Sequence, residues 1–213
     1  MKLLLNKGAD DNAIGGPYGS ALQAASVEGH KEIVRLLLLN GADVSVKGGL
    51  YDSALQAASE HHHVEIVKVL PDNGADANAK GGFYSNALQT ASAQGYEAIV
   101  KLLLANGVDV NAKGGPYGNA LQAASENGHE KIVKLLPVNG AEKGHALQTA
   151  STTGHEAIVE LLPSNGADAN TKGGPYDNAL QAASAGGHEV TVRLLLANGA
   201  DVNTEGGEDG CAL

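Results

Sequence analysis

Two kinds of apolar stretch alternate along the chain. One is thin, with Ala21, Leu22, Ala24 and Ala25 in ALQAAS; the other is bulky, with Ile33, Val34, Leu36 and Leu37 in EIVRLLLL. Both space their apolar residues as a helix with one buried face does. The pattern predicts a short helix whose small side chains let another helix approach closely, then a second helix with a thicker apolar face. Start and stop signals agree. Ser20, Ser53, Asn86, Asn119 and Asn178 stand where a side-chain oxygen can accept orphan backbone N–H groups, and Gln23 and its counterparts follow at the reciprocal capping-box spacing. Gly29, Gly95, Gly128, Gly154 and Gly187 stop the first helix, because glycine takes the left-handed conformation without penalty. The second helix ends at Asn40-Gly41, so the Asn-Gly pairs read as helix C-caps and not as hairpin turns.

The pattern recurs. The Ala-Leu-Gln leucine falls at Leu22, Leu55, Leu88 and Leu121 in steps of 33, then at Leu147 after 26, and at Leu180 after 33 again. The shortfall lies between Ala141 and Ala146, where only Glu142, Lys143, Gly144 and His145 intervene. This divides the chain into a partial unit at 1–14, repeats at 15–47, 48–80, 81–113, 114–144, 145–172 and 173–205, and the start of a truncated repeat at 206–213. A fixed period of this kind is the mark of a stacked architecture, in which each layer leans on its neighbours.

The wording of one unit, ALQAASVEGHKEIVRLLLLNGADV, resembles an ankyrin repeat, whose usual text is TPLHxAAxxGHxxIVxLLLxxGADVN. The dialect, with GGPYGNALQAAS or a close variant opening five of the six units, is similar to long ankyrin arrays of fungal proteins, including those associated with NACHT-type signalling proteins. The resemblance implies an all-α repeat solenoid of stacked helix-turn-helix units with hairpin-like loops. It also implies an intracellular protein, cytoplasmic more than nuclear, that binds other proteins through loop tips and first helices.

Three departures carry expectations. Ala and Gln replace the family's Pro and His at the start of the first helix, where the Gln can still serve the cap. Pro71, Pro137 and Pro163 fall inside second helices and delete the N–H groups that would bond Val67, Val133 and Val159; these helices are predicted to end early or kink there. The missing seven residues should remove one loop finger and leave a notch between the fourth and fifth units. Neither end carries a polar capping unit, which points first to a section of a longer protein, and otherwise to self-association through the bare ends or to ends that fray.

Composition narrows the class. The chain has 213 residues, a formal charge of −10, 43% hydrophobic residues and only 3% aromatic ones. An apolar share that high argues against disorder, and the acidic balance argues against nucleic acid. No apolar run approaches the ~20 residues that span a bilayer, so no membrane partner is expected. The single cysteine, Cys211, allows no internal disulfide and, together with the absence of an Asn-x-Ser/Thr acceptor, fits a reducing compartment.

Apparent catalytic motifs do not hold up. His129-Glu130, His155-Glu156 and His188-Glu189 open like the zinc-protease pattern, but the second His is replaced by Val133, Val159 and Val192. The consecutive His61, His62 and His63 point in different directions, which disfavours one metal site. No Gly-Lys-Ser/Thr follows the glycine pairs, so they are not phosphate loops. No enzyme activity, catalytic residue, cofactor or metal is expected.

Positions that drift between units are the candidates for recognition. They include Glu60, His61, Gln94, Glu126 and Asn127 at the ends of first helices and Phe83 in the loops. Beside them Tyr18, Tyr51, Tyr84, Tyr117 and Tyr176 recur at one loop position, and Lys47, Lys80, Lys113 and Lys172 at another. A tyrosine ladder offers flat amphipathic contacts suited to an interface, or it stiffens the loops by packing on its neighbours. The expected function is a non-catalytic module that binds a protein or peptide on the concave face formed by loop tips and first helices. The alternative is a regulatory or scaffold segment of a larger enzyme or NACHT-type NTPase.

Overall fold

The computed structural model describes residues 10–203. The chain divides into two compact bodies, residues 1–116 and 117–213. Among the described residues, the first body holds α1 (Ala21–Val27), α2 (Lys31–Leu39), α3 (Ala54–Glu60), α4 (Val64–Asp72), α5 (Ala87–Ala93) and α6 (Glu97–Ala105). The second holds α7 (Ala120–Glu126), α8 (Glu130–Val138), α9 (Ala146–Thr153), α10 (Glu156–Ser164), α11 (Ala179–Ala185) and α12 (Glu189–Ala197). The fold class is the all-α repeat solenoid of helix-turn-helix units, with only isolated bridges such as Gly15 to Gly19 in the loops among the described residues. Segment 1–9 of the leading partial unit, the truncated unit at 206–213 and Cys211 lie outside the described residues.

Each unit is built by its caps. Ser20, Ser53, Asn86, Asn119 and Asn178 accept from the N–H of the glutamine three residues on, so five of the first helices start where expected. Gln23 closes the reciprocal half of the box at 2.6 Å and also donates to Gly48 O at 2.9 Å in the next loop. Gln56 and Gln148 likewise send their amide nitrogens to the following loop, at Gly81 O (3.1 Å) and Thr171 O (2.7 Å). A residue expected to cap one helix thus fastens one layer to the next.

Second helices end in a Schellman arrangement. In α2, Gly41 N–H bonds Leu38 O and Ala42 N–H bonds Leu37 O, with Gly41 at φ 93°. The Asn40 side chain adds a bond to Leu36 O at 2.6 Å, and Asn73, Asn106, Asn139, Asn165 and Asn198 repeat it.

This closure corrects the expectation that the prolines end their helices early. α4, α8 and α10 do not stop early: each runs one residue past its proline and matches the nine residues of α2, α6 and α12. The proline occupies the penultimate helical position, so it removes one N–H and leaves the Asn-Gly closure intact. Asn73 and Asn139 N–H reach back only to Leu70 O and Leu136 O, three residues, whereas Asn165 N–H behind Pro163 still reaches Leu161 O, four back, as Asn40 N–H reaches Leu36 O.

Within the first body α1, α3 and α5 stack in order, as do α2, α4 and α6 behind them; the second body repeats this with α7, α9, α11 and α8, α10, α12. Leu22, Leu55 and Leu88 are buried between small alanines, and Ile66, Val67 and Leu70 of α4 are sealed on the inner side of the second row. Ties between layers are polar as well. His63 Nε2 donates to Val27 O (2.8 Å), His155 to Glu126 O (2.9 Å) and His188 to Thr152 O (3.0 Å), each in the preceding unit.

The shortened connection, residues 140–145, carries no loop finger. α9 starts at His145 without any side-chain cap, and the His145 ring instead lies against Gly173, where an added Cβ would meet it at 2.8 Å.

Candidate partner-binding surface

The loop tips are tight five-residue turns. Gly15 N–H bonds Gly19 O (3.0 Å), Gly81 bonds Ser85 O (2.8 Å) and Gly173 bonds Asp177 O (2.7 Å). The first two tips of the first body are joined directly, by Leu50 N–H to Pro17 O at 2.8 Å. Gly49, at φ 67°, brings the second tip so close that a Cβ would lie 2.5 Å from the Tyr18 carbonyl carbon. Asp52, Ser85 and Asp177 adopt positive φ at the last turn position, where Gly19 and Gly118 stand in other units.

These turns set side chains outward. Leu50 and Phe83 hold equivalent places and are 63% and 72% exposed. Phe83 meets Tyr84 edge to face at 4.9 Å. The tyrosines are tied down at the hydroxyl: Tyr51 Oη lies 2.8 Å from His61 Nε2, and Tyr84 Oη accepts from Gln94 Nε2 at 3.3 Å. Gln94 also hydrogen-bonds Glu60. Tyr51, Glu60, His61, Phe83, Tyr84 and Gln94, separated in sequence, therefore form one patch in the first body. Tyr18 is exposed and near enough to Tyr51 to influence its ionisation.

The patch perturbs its titratable groups by burial. Burial raises the Glu60 carboxyl above its ordinary range, with the Gln94 hydrogen bond opposing. Burial lowers His61, the neighbouring His63 adds to this, and Glu28 opposes both. The Tyr51 hydroxyl is raised by burial first, then by Glu60 and Tyr18.

The second body carries the remaining candidates, less concentrated. Tyr176 is exposed on its tip, and the Asn127 amide donates to Ala123 O of its own helix at 2.9 Å. Glu126 offers its backbone carbonyl to His155, a packing role. Tyr117 opens this body and is half-buried.

The histidine run divides among three neighbours. His61 faces Tyr51, His63 reaches back to Val27, and His62 stacks forward on Tyr96 with ring centroids 4.3 Å apart. No group of three His, Cys, Asp or Glu side chains placed to hold a metal occurs among the described residues. His62 also adopts φ 60°, where other units place glycine. Sequence reasoning missed this contact, although the loss of the usual glycine at 62 was its visible signal.

The model for ankyrin repeats (three copies) matches residues 22–114, 54–145 and 121–206. The fold is similar to the ankyrin repeat domain of human ASB11, with a TM-score of 0.79 and 25% identity over 91% of this chain and 90% of that one. It is also similar to an ankyrin repeat domain from Acinetobacter baumannii AYE, with a TM-score of 0.75 and 28% identity over 84% of this chain and 98% of that one. No curated protein matches the sequence. No helix among the described residues is long and apolar enough to cross a membrane. Six stacked helix pairs among the described residues and a family match running from 22 to 206 together show that the chain belongs to the ankyrin repeat family, whose members generally serve as protein–protein interaction modules.

Proposed function

We propose that this chain is a non-catalytic module that holds a protein or peptide on the surface made by its loop tips and the ends of its first helices. The observation that carries the reading is the first-body patch: Leu50 and Phe83 stand exposed beside Tyr51 and Tyr84, whose hydroxyls are anchored to His61 and Gln94. Aromatic side chains with few rotatable bonds, already fixed, lose little entropy on binding. The anchoring residues are those that drift from unit to unit, so each tyrosine is held by a different chemistry. The tyrosines both brace the loops and present a face; the two roles support one another. The acidic balance of the chain favours a protein partner over nucleic acid.

The test replaces Leu50 and Phe83 together with Ser and measures melting and capture of partners from the source cell. Neither residue is buried, so the expected melting temperature is unchanged and the captured protein is lost. Capture that survives the double substitution would remove the tips from the binding surface. Tyr51→Phe and Tyr84→Phe, which delete only the anchoring hydroxyls, are expected to weaken capture without abolishing it.

A further inference from the structure

Asparagines in the loops tie successive layers together. Asn12 Oδ1 accepts from the Asp43 N–H at 2.7 Å, Asn78 Oδ1 from Asp109 at 2.6 Å, and Asn170 Oδ1 from Asp201 at 2.8 Å. In the first body this series has a gap. Position 45 holds Ser, whose hydroxyl turns back to the Asp43 carboxylate at 2.6 Å. Among the described residues nothing accepts from the Asp76 N–H, the group that an asparagine at 45 would engage. A pocket of about 130 Å³ opens there, lined by Val44, Ser45, Lys47, Leu55, Asp76 and Ala79 among others.

We propose that this gap is a side-chain socket that takes the carboxamide of an Asn or Gln presented by a partner peptide, which supplies the acceptor Ser45 does not. The rim selects an amide. Its oxygen meets the Asp76 N–H, with the Lys47 ammonium as a second donor, while its NH2 turns to the Asp76 carboxylate. That carboxylate already accepts from Asn78 N–H at 2.8 Å and stays in place. A carboxylate ligand would face it with like charge. Leu55 and Val44 supply an apolar wall for the methylene carbons. The inference deepens the interaction-module reading by naming the chemistry of one contact; its failure leaves that reading standing, since Leu50 and Phe83 decide the latter.

The experiment is a titration of the full chain with acetamide, followed by amide proton–nitrogen NMR, with sodium acetate at matched ionic strength as the second arm. The expected result is a saturable shift of the Asp76 amide with acetamide and none at Asp109, whose N–H is already bonded to Asn78. In S45N the built-in carboxamide should abolish the response and slow exchange of the Asp76 amide about tenfold. An Asp76 amide unmoved by acetamide overturns the proposal in the wild-type chain alone. Acetate binding as well as acetamide overturns the choice of an amide, and an undiminished response in folded S45N overturns the socket.

Discussion

Gly49 and Ser85 show the same backbone demand met in opposite ways. Gly49 sits at φ 67° with the neighbouring tip's backbone against it, so Gly49→Ala adds both strain and a collision with Tyr18 and Gly19. Left-handed strain costs about 1–2 kcal/mol and overpacking a similar amount, so the loss by urea denaturation should be about 2–4 kcal/mol. Ser85 sits at φ 80° with a Cβ it does not need, so Ser85→Gly should gain about 1 kcal/mol. His61 provides a pH-dependent counterpart. Its pKa is lowered below the ordinary 6.5, so the folded state favours the neutral ring. That contribution is complete above the unfolded value and fades as pH falls through the folded one. The melting temperature of wild type should therefore drop more than that of His61→Gln between about pH 7.5 and about pH 5. Parallel curves for the two proteins would show that the ring is not coupled to folding.

At the scale of the helix, the caps dominate. The Asn-Gly closure ends α2, α4, α6, α8, α10 and α12 in the same way whether or not a proline precedes it. Proline at the penultimate position loses one hydrogen bond, worth about 1 kcal/mol, not the ~3 kcal/mol of a helix interior. Replacing Pro71 by Leu, the residue at the equivalent place in α2, should raise stability by about 1 kcal/mol. The melting temperature checks it, and a gain near ~3 kcal/mol would mean that the proline strains the helix beyond its last turn. The expected early ending does not occur, because interior and terminal prolines look alike until the helix end is located to within one residue.

At the scale of the whole molecule, each body is a series of neighbours without a common centre. Leu55 lies in α3, which leans on α1 and α5. Leu55→Ala should cost about 2–5 kcal/mol. Hydrogen exchange should rise in α1 and α5 as well as α3, because each first helix is stabilised by the layer beside it. Exchange confined to α3 would contradict the nearest-neighbour picture. The shortened connection before α9 shows how tolerant this arrangement is: a whole finger is absent, yet α9 still stacks on α7 and α11.

Much of this was legible in the residues themselves, for a physical reason. Caps, glycine stops and apolar faces act within a few residues of one another, so Ser20, Gly29 and Leu22 announce their roles locally and the period repeats the announcement. Contacts across a repeat do not act that way. That Tyr51 meets His61, that His62 stacks on Tyr96, and that Ser45 leaves Asp76 without an acceptor depend on side-chain reach between loops and helices brought together only by stacking. The linear pattern therefore determined the layer, and the packing of layer on layer decided the surface that the layers present.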